Sequence, residues 1–339
     1  MPTAPTTFSM PQGESVVVWT DATHESDGMR LALRMGDGVE LKAVCGPGRA
    51  SSRAGERTVV PLGLRGSDDL RAMVMAHKPR YVLALTSEGM HPEHLPWIEG
   101  KPVVILSREP VPNQPAGKPG EGAQVLLWGA FLGMPGLLAA QEAARTIGSQ
   151  RAVGVVSTGI RAEASLFARL LDAWDAALAF APLPESIHAA LLGPVGPAPS
   201  TPEGLTGRLT AHGIVSGEGG ITLLCADSGP EHRTLDVVAQ AGTLSVTPAL
   251  CQSGQAEARL EAAAACAIHQ PSRDDALLAQ WRNLLGPKPL TPRSPSPEAM
   301  ACCAACLLSI RTGSAENPRR ILSLGSDLFS PGEMYPLFA

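Results

Sequence analysis

Ser15-Val16-Val17-Val18-Trp19-Thr20-Asp21-Ala22-Thr23-His24-Glu25, followed by Val39-Glu40-Leu41-Lys42-Ala43-Val44, is the stretch on which the fold turns. The first run is β-branched and apolar enough to be buried on both faces. Leu31 and Leu33 fall in a short helical segment, and the Val39–Val44 run alternates as a second strand. Strand, turn, helix and strand in this order are half of a unit that binds dinucleotides when its first turn carries glycines, which let backbone approach a pyrophosphate at a helix N-terminus. Here the turn holds no glycine before Gly28, and it places two carboxylates, Asp21 and Glu25, where phosphate charge would lie. The acidic residue expected after the second strand is replaced by Cys45-Gly46-Pro47-Gly48. The scaffold is legible, and the phosphate-binding fingerprint is gone.

Working outward, a strand at Thr58–Leu62, a helix at Leu70–His77 begun by Ser67-Asp68-Asp69, and a fully buried strand at Tyr81–Leu85 follow. A short helix reaching Trp97 and a strand at Val103–Leu106 come next. Strands alternating with helices at this spacing imply right-handed crossovers and a parallel sheet. The loop Arg108–Gly122, with four prolines and three glycines, marks a boundary. Beyond it the pattern changes. A helix at Pro135–Ile147, a strand at Ala152–Val156 and a helix at Glu163–Ala179 precede strand-like runs near 186–192, 205–215, 221–226, 234–240 and 243–246. Short turns between these runs argue for an antiparallel meander. Helices at 274–285 and 298–310 close the chain. The expected organisation is a flexible tail over 1–14, a doubly wound α/β domain over 15–124, and an α+β domain with a mostly antiparallel open sheet over 125–339.

Composition narrows the function classes. The 339 residues suffice for two cores of roughly 100–200 residues each. A formal net charge of -5 and the lack of a Lys/Arg block argue against nucleic acid as a partner. No apolar run reaches the roughly 20 residues of a membrane span, and residues 1–7 carry neither a basic segment nor an apolar core, so a cytoplasmic location is expected. The seven cysteines are odd in number. Cys302 and Cys306 share one face of an Ala-rich helix, where they read as small apolar residues at a tight contact; no metal site is expected.

Five segments, in order, resemble the Gfo/Idh/MocA family of glucose–fructose oxidoreductase and myo-inositol dehydrogenase. They are Leu85-Thr86-Ser87-Glu88-Gly89-Met90-His91-Pro92-Glu93-His94, Glu99 to Pro110, Ile147 to Val153, Asp236 to Leu244 and Leu307 to Gly313. The resemblance covers roughly residues 15 to 325. It implies a Rossmann-like first domain, a nicotinamide cofactor, a sugar or polyol substrate, and oligomers built on the open sheet of the second domain. In the family a lysine of E-K-P anchors cofactor and substrate, and a D-x-x-x-H pair moves the proton. Carried over residue by residue, the lysine position holds Glu109, the aspartate position Ala168 and the histidine position Asp172. Phosphate turn, anchoring lysine and acid/base pair are thus all altered. The expectation is a relative that has lost dehydrogenase activity and binds a small molecule or regulates a partner, with no cofactor. The alternatives are an active NAD- or NADP-dependent oxidoreductase on a sugar or polyol, and a structural homo-oligomer.

Several polar residues are candidates for the site. Asp21, Thr23 and His24 follow the first strand, where open α/β sheets bind ligands; they equally suit a helix cap. Thr86 and His91 match family positions near the cofactor, although His91-Pro92-Glu93 also reads as a helix start. Arg108 and Glu109 suit a ligand carboxylate or a mutual ion pair. On one helix, Asp172 and Asp175 share a face and are expected to line the substrate side together with Arg161 and Glu163. For the open sheet, Leu209, Ile214, Leu223 and Leu235 are the expected contacts with a second protomer, because an apolar sheet face left bare by helices is normally covered by another chain.

Overall fold

Side chains with two heavy atoms on Cβ favour extended backbone, and Val16, Val17 and Val18 lie at the centre of strand β1, Glu14–Thr20. The computed structural model describes residues 14–20, 39–45, 70–85, 104–107, 124–127, 131, 134–148, 151–161, 164–193, 205–217, 219–247, 251–255 and 296–323. Strand β1 pairs in parallel with β2 (Val39–Cys45) on one side and β3 (Tyr81–Leu85) on the other. Strand β3 pairs in parallel with β4 (Val104–Ser107), and β5 (Gln124–Leu127) completes the order β2-β1-β3-β4-β5. Both β1 from Val16 to Trp19 and the whole of β3 are buried, as a central parallel strand requires. Helix α1, Leu70–His77, lies on β1 and β2 with Leu70, Met73 and Val74 buried. It stops where Lys78 turns left-handed, φ 44, and returns its N–H to Val74 O at 2.9 Å, a stop that Pro79 enforces. The chain divides into two compact units, and β1 to β4 with α1 belong to the first.

The second unit is built on seven strands in the order β12-β11-β10-β6-β9-β8-β7. They are β6 (Arg151–Thr158), β7 (Ser186–Leu192), β8 (Arg208–Ile214), β9 (Gly220–Ala226), β10 (His232–Ala239), β11 (Gly242–Val246) and β12 (Cys251–Gln255). All pairs are antiparallel except β6 with β9. Helix α2 (Pro135–Ala143) packs on β11 and β12, α3 (Leu166–Leu178) on β6 and β9, and α4 (Pro297–Thr312) on β7, α3 and the short α5 (Pro318–Ser323). The fold is therefore α/β in the first unit and α+β, with a mostly antiparallel sheet, in the second.

The boundaries of α3 and α4 follow from local chemistry. Ser165 caps α3, its Oγ accepting from Ala168 N at 3.0 Å, and Ser296 caps α4 by accepting from Ala299 N at 3.1 Å. Pro297 occupies the first turn of α4, and Gly313 ends it in the left-handed region at φ 68. Helix α4 is buried nearly all round through Ala299 and the run from Ala301 to Leu307. Its alanines and cysteines are small enough for close contact on three sides. Cys306 accepts a hydrogen bond from Trp174 Nε1 at 3.3 Å; burial pushes its thiol up to about 12, against the Trp174 N–H, which lowers it. Cys225, Cys302 and Cys303 are buried as well, and burial raises each thiol further. They are packing groups.

Two expectations are corrected. The strand runs do not form one continuous meander: β9 and β10 do not pair, because β6 lies between them. Strand β6 carries the apolar stretch Val153–Val156, which belongs at the sheet centre. The register also places Leu209, Leu223 and Leu235 on the helix-covered face, each 0% exposed, so they are not contacts for a second protomer. Side chains alternate along a strand, and a parity error of one residue moves every one to the opposite face. The uncovered face instead presents Leu192, Ile214, Leu224 and Val238, at 72%, 63%, 38% and 54% exposure. Of the four residues expected there, only Ile214 is on it. Strands β5 and β12 and helix α5 were not anticipated; the expected elements at 58–62 and 274–285, and the helix around Leu31, lie outside the described residues.

Candidate functional site

The strand order of the first unit fixes where a ligand site can lie. The chain leaves β1 for β2 on one side and returns to β3 on the other, so the connections diverge at the carboxyl ends of β1 and β3. Such a divergence opens a crevice, the usual ligand position in open α/β sheets. The last residues of the two strands, Thr20 and Leu85, are register partners. Thr20 is buried, and its Oγ1 donates to Leu85 O at 3.2 Å, tying the two strand ends together. Asp21, Thr23, His24, Thr86, His91, Arg108 and Glu109 lie outside the described residues. The Thr20 hydroxyl is already donated within the sheet, and the sequence continues with Asp21 and Glu25 instead of glycines.

In the second unit Asp172, one of the carboxylates expected to line a site, is drawn into the interior. Asp172 is only 4% exposed. Its Oδ1 accepts from the backbone N–H of Phe131 at 2.6 Å, and its Oδ2 lies 3.3 Å from Arg233 Nη1. Desolvation by burial raises its carboxyl above the ordinary range and outweighs Arg233, the Phe131 N–H and Arg169, which all act to lower it. Asp175 shares the helix but serves another purpose. Its Oδ1 accepts from Ser296 N at 3.1 Å and Ser296 Oγ at 2.7 Å, so it fastens the start of α4 to α3. Asp172 and Asp175 thus reach different partners, Phe131 and Arg233 for the first and Ser296 for the second. Ala168 is buried, Arg161 is exposed on the turn after β6, and Glu163 lies outside the described residues.

The residues that complete this network were not singled out from sequence. Arg169, fully buried on α3, donates from Nη1 to Thr158 O at 3.1 Å and from Nη2 to Ile160 O at 3.2 Å, and Nη2 lies 3.5 Å from Glu231 Oε2. Glu231 Oε1 in turn lies 3.3 Å from Arg233 Nε. Two arginines and two carboxylates thus alternate over the ends of β6 and β10, with no net charge when all are ionised. Gly159 makes room for them, since a Cβ there would come within 2.3 Å of Arg169 Nη2 and 2.6 Å of Glu231 Oε2. The signal was present in the sequence: an arginine inside Leu166-Phe167-Ala168-Arg169-Leu170-Leu171 has no solvent face, and a buried charge needs a partner.

No family model matches the sequence, and no curated protein does. Solved structures do share the fold. An oxidoreductase from Sinorhizobium meliloti superimposes at a TM-score of 0.63 and 15% identity, covering 91% of this chain and 100% of its own. The WlbA dehydrogenase from Bordetella pertussis, solved with NADH and UDP-GlcNAcA, follows at 0.59 and 14%, with 91% and 99% covered. The scyllo-inositol dehydrogenase from Lactobacillus casei matches at 0.59 and 12%, again with 91% and 99% covered. At these identities the likeness is one of fold. The chain shares the two-unit α/β and α+β architecture of these solved oxidoreductases. Among the described residues no helix is long and apolar enough to cross a membrane.

Proposed function

We propose that this protein is a non-catalytic relative of the Gfo/Idh/MocA-type oxidoreductases that keeps the scaffold and uses it to bind a small hydroxyl-rich molecule. The carrying observation is the engagement of Asp172. This residue stands at the proton-transfer position that the resemblance implies, and its carboxylate is bonded to Phe131 N and paired with Arg233. A proton-transfer group must reach the substrate hydroxyl, and Ala168, at the partner position, has nothing to ionise. Glu109 at the lysine position and the carboxylates Asp21 and Glu25 in the phosphate turn support the same reading. The polar groups near the strand ends (Asp21, Thr23, His24, Thr86, His91, Arg108 and Glu109) offer hydrogen bonds and mixed charge but few aromatic faces. That chemistry suits a sugar or cyclitol better than a flat apolar ligand. A panel of sugars and polyols should raise the melting temperature with at least one member, and Arg108→Ala should abolish the rise. A flat response from both proteins at millimolar ligand removes the binding role and leaves a structural one.

One observation favours a second reading, an active NAD- or NADP-dependent oxidoreductase on a sugar: the WlbA dehydrogenase, of the same fold, was solved with NADH and UDP-GlcNAcA. We further propose that a second copy covers the open sheet face around Leu192, Ile214, Leu224 and Val238. Light scattering at micromolar concentration should then give a dimer or larger oligomer, and Leu224→Lys should shift it toward monomer. A monomeric parent protein contradicts the pairing.

A further inference from the structure

Strands β7 and β8 pair antiparallel, and their register sets His188 directly opposite His212 on the open face of the sheet, with both side chains exposed. Directly opposed residues have Cβ atoms about 4.5–5.5 Å apart, a span two imidazoles can close around one ion whose metal–nitrogen bonds are ~2.0–2.1 Å. The next residue in the same row, Thr222 on β9, holds His212 from behind: Thr222 Oγ1 lies 3.3 Å from His212 Nδ1. A ligating histidine characteristically has its second ring nitrogen fixed by such a neighbour, which sets tautomer and ring orientation. With Nδ1 engaged, Nε2 is the nitrogen left for a ligand. No acidic side chain stands opposite either histidine in this row: the strand beyond β9 contributes Gly154, and Asp236 follows only on β10.

We propose that His188 and His212 form a two-imidazole chelate for a borderline divalent transition metal, zinc or copper. Imidazole prefers these ions to magnesium or calcium, which take oxygen donors. Among the described residues no group of three or more histidines, cysteines, aspartates or glutamates is placed to hold a metal, so His188 and His212 are the two ligands that the described residues offer at this site. Water fills the remaining positions in a monomer, and the same pair from a second copy fills them where two open faces meet. The site does not depend on the ligand or catalytic readings above, since it lies on strands β7 to β9 of the second unit.

Calorimetry with zinc ion alone on the full chain tests it. Binding in the micromolar range is expected, with either one zinc per chain or one per two chains. His188→Ala and His212→Ala should each weaken binding at least about tenfold, and Thr222→Val, which keeps the branched shape and removes the oxygen, should weaken it less. His232→Ala, an exposed histidine on the same face at the end of β10, should bind like the parent. With copper(II), electron paramagnetic resonance should show nitrogen coordination that is lost in the two alanine variants. No heat with zinc from the parent, or His188→Ala and His212→Ala binding as the parent does, overturns the proposal. All these positions are exposed, so loss of fold does not confound the outcome.

Discussion

Asp172→Ala should destabilise the protein by about 3–5 kcal/mol, because truncating one member of a buried ion pair leaves its partner charged and uncompensated. Two groups lose an acceptor together: the Phe131 N–H, now bonded at 2.6 Å, and the Arg233 guanidinium. Asp172→Asn keeps an oxygen for Phe131 and should lose roughly 1–2 kcal/mol. The pH dependence has a definite sign. Burial raises the folded-state carboxyl above its unfolded value, so the folded protein holds this proton more tightly than the unfolded chain. Stability from this group is therefore fully present below the unfolded value of about 3.9 and is lost as pH rises through the folded value. Measured against Asp172→Asn by urea unfolding, the parent should gain as pH falls from neutrality toward 4. An alanine variant as stable as the parent would mean that the carboxylate does not hold Phe131 and Arg233.

Trp174→Ala should cost about 3–5 kcal/mol, a fall in melting temperature on the order of 10 °C. The indole is completely buried where α3, α4 and β8 meet. Gly213 opens the space for it: a Cβ at 213 would come within 3.2 Å of Trp174 Cη2 and 2.9 Å of Pro184 Cγ. Replacing the indole by a methyl leaves a cavity that these neighbours cannot close without moving a strand or a helix. Trp174→Phe keeps most of the ring and loses the N–H donated to Cys306 Sγ, so its loss should be clearly smaller. Thermal melts of both variants decide the matter, and equal losses for alanine and phenylalanine would place the weight on the hydrogen bond instead of the packing.

Much of this fold was legible in the sequence, because its strands announce themselves by local composition. Valine runs, alternation and turn residues gave β1 to β3 and β7 nearly to the residue. Non-local features were not legible. That β6 separates β9 from β10 depends on which strand most needs two neighbours, and the meander rule knows only adjacency in sequence. The face of Leu209, Leu223 and Leu235 depends on which side α3 and α4 cover. Strand β5, four residues after a proline-rich loop, is too short to show a period. At the site, helical spacing correctly put Asp172 and Asp175 on the same helix. It could not reveal that Phe131, 41 residues upstream, claims one and that Ser296, 121 residues downstream, claims the other. Arg169 was the readable clue, a guanidinium in an apolar helix that demanded buried acceptors.

The central claim is that the oxidoreductase scaffold persists without its cofactor chemistry, and calorimetric titration with NADH and NADPH tests it most directly. Two carboxylates, Asp21 and Glu25, replace the glycine turn, and Thr20 gives its hydroxyl to Leu85 O at the strand ends. Carboxylates beside a bound pyrophosphate would repel it, and side chains in place of glycines would obstruct its approach to backbone. No binding tighter than roughly millimolar is expected for either nucleotide, about 4 kcal/mol of affinity. A micromolar dissociation constant for NADH or NADPH would contradict that claim and favour the active-oxidoreductase reading.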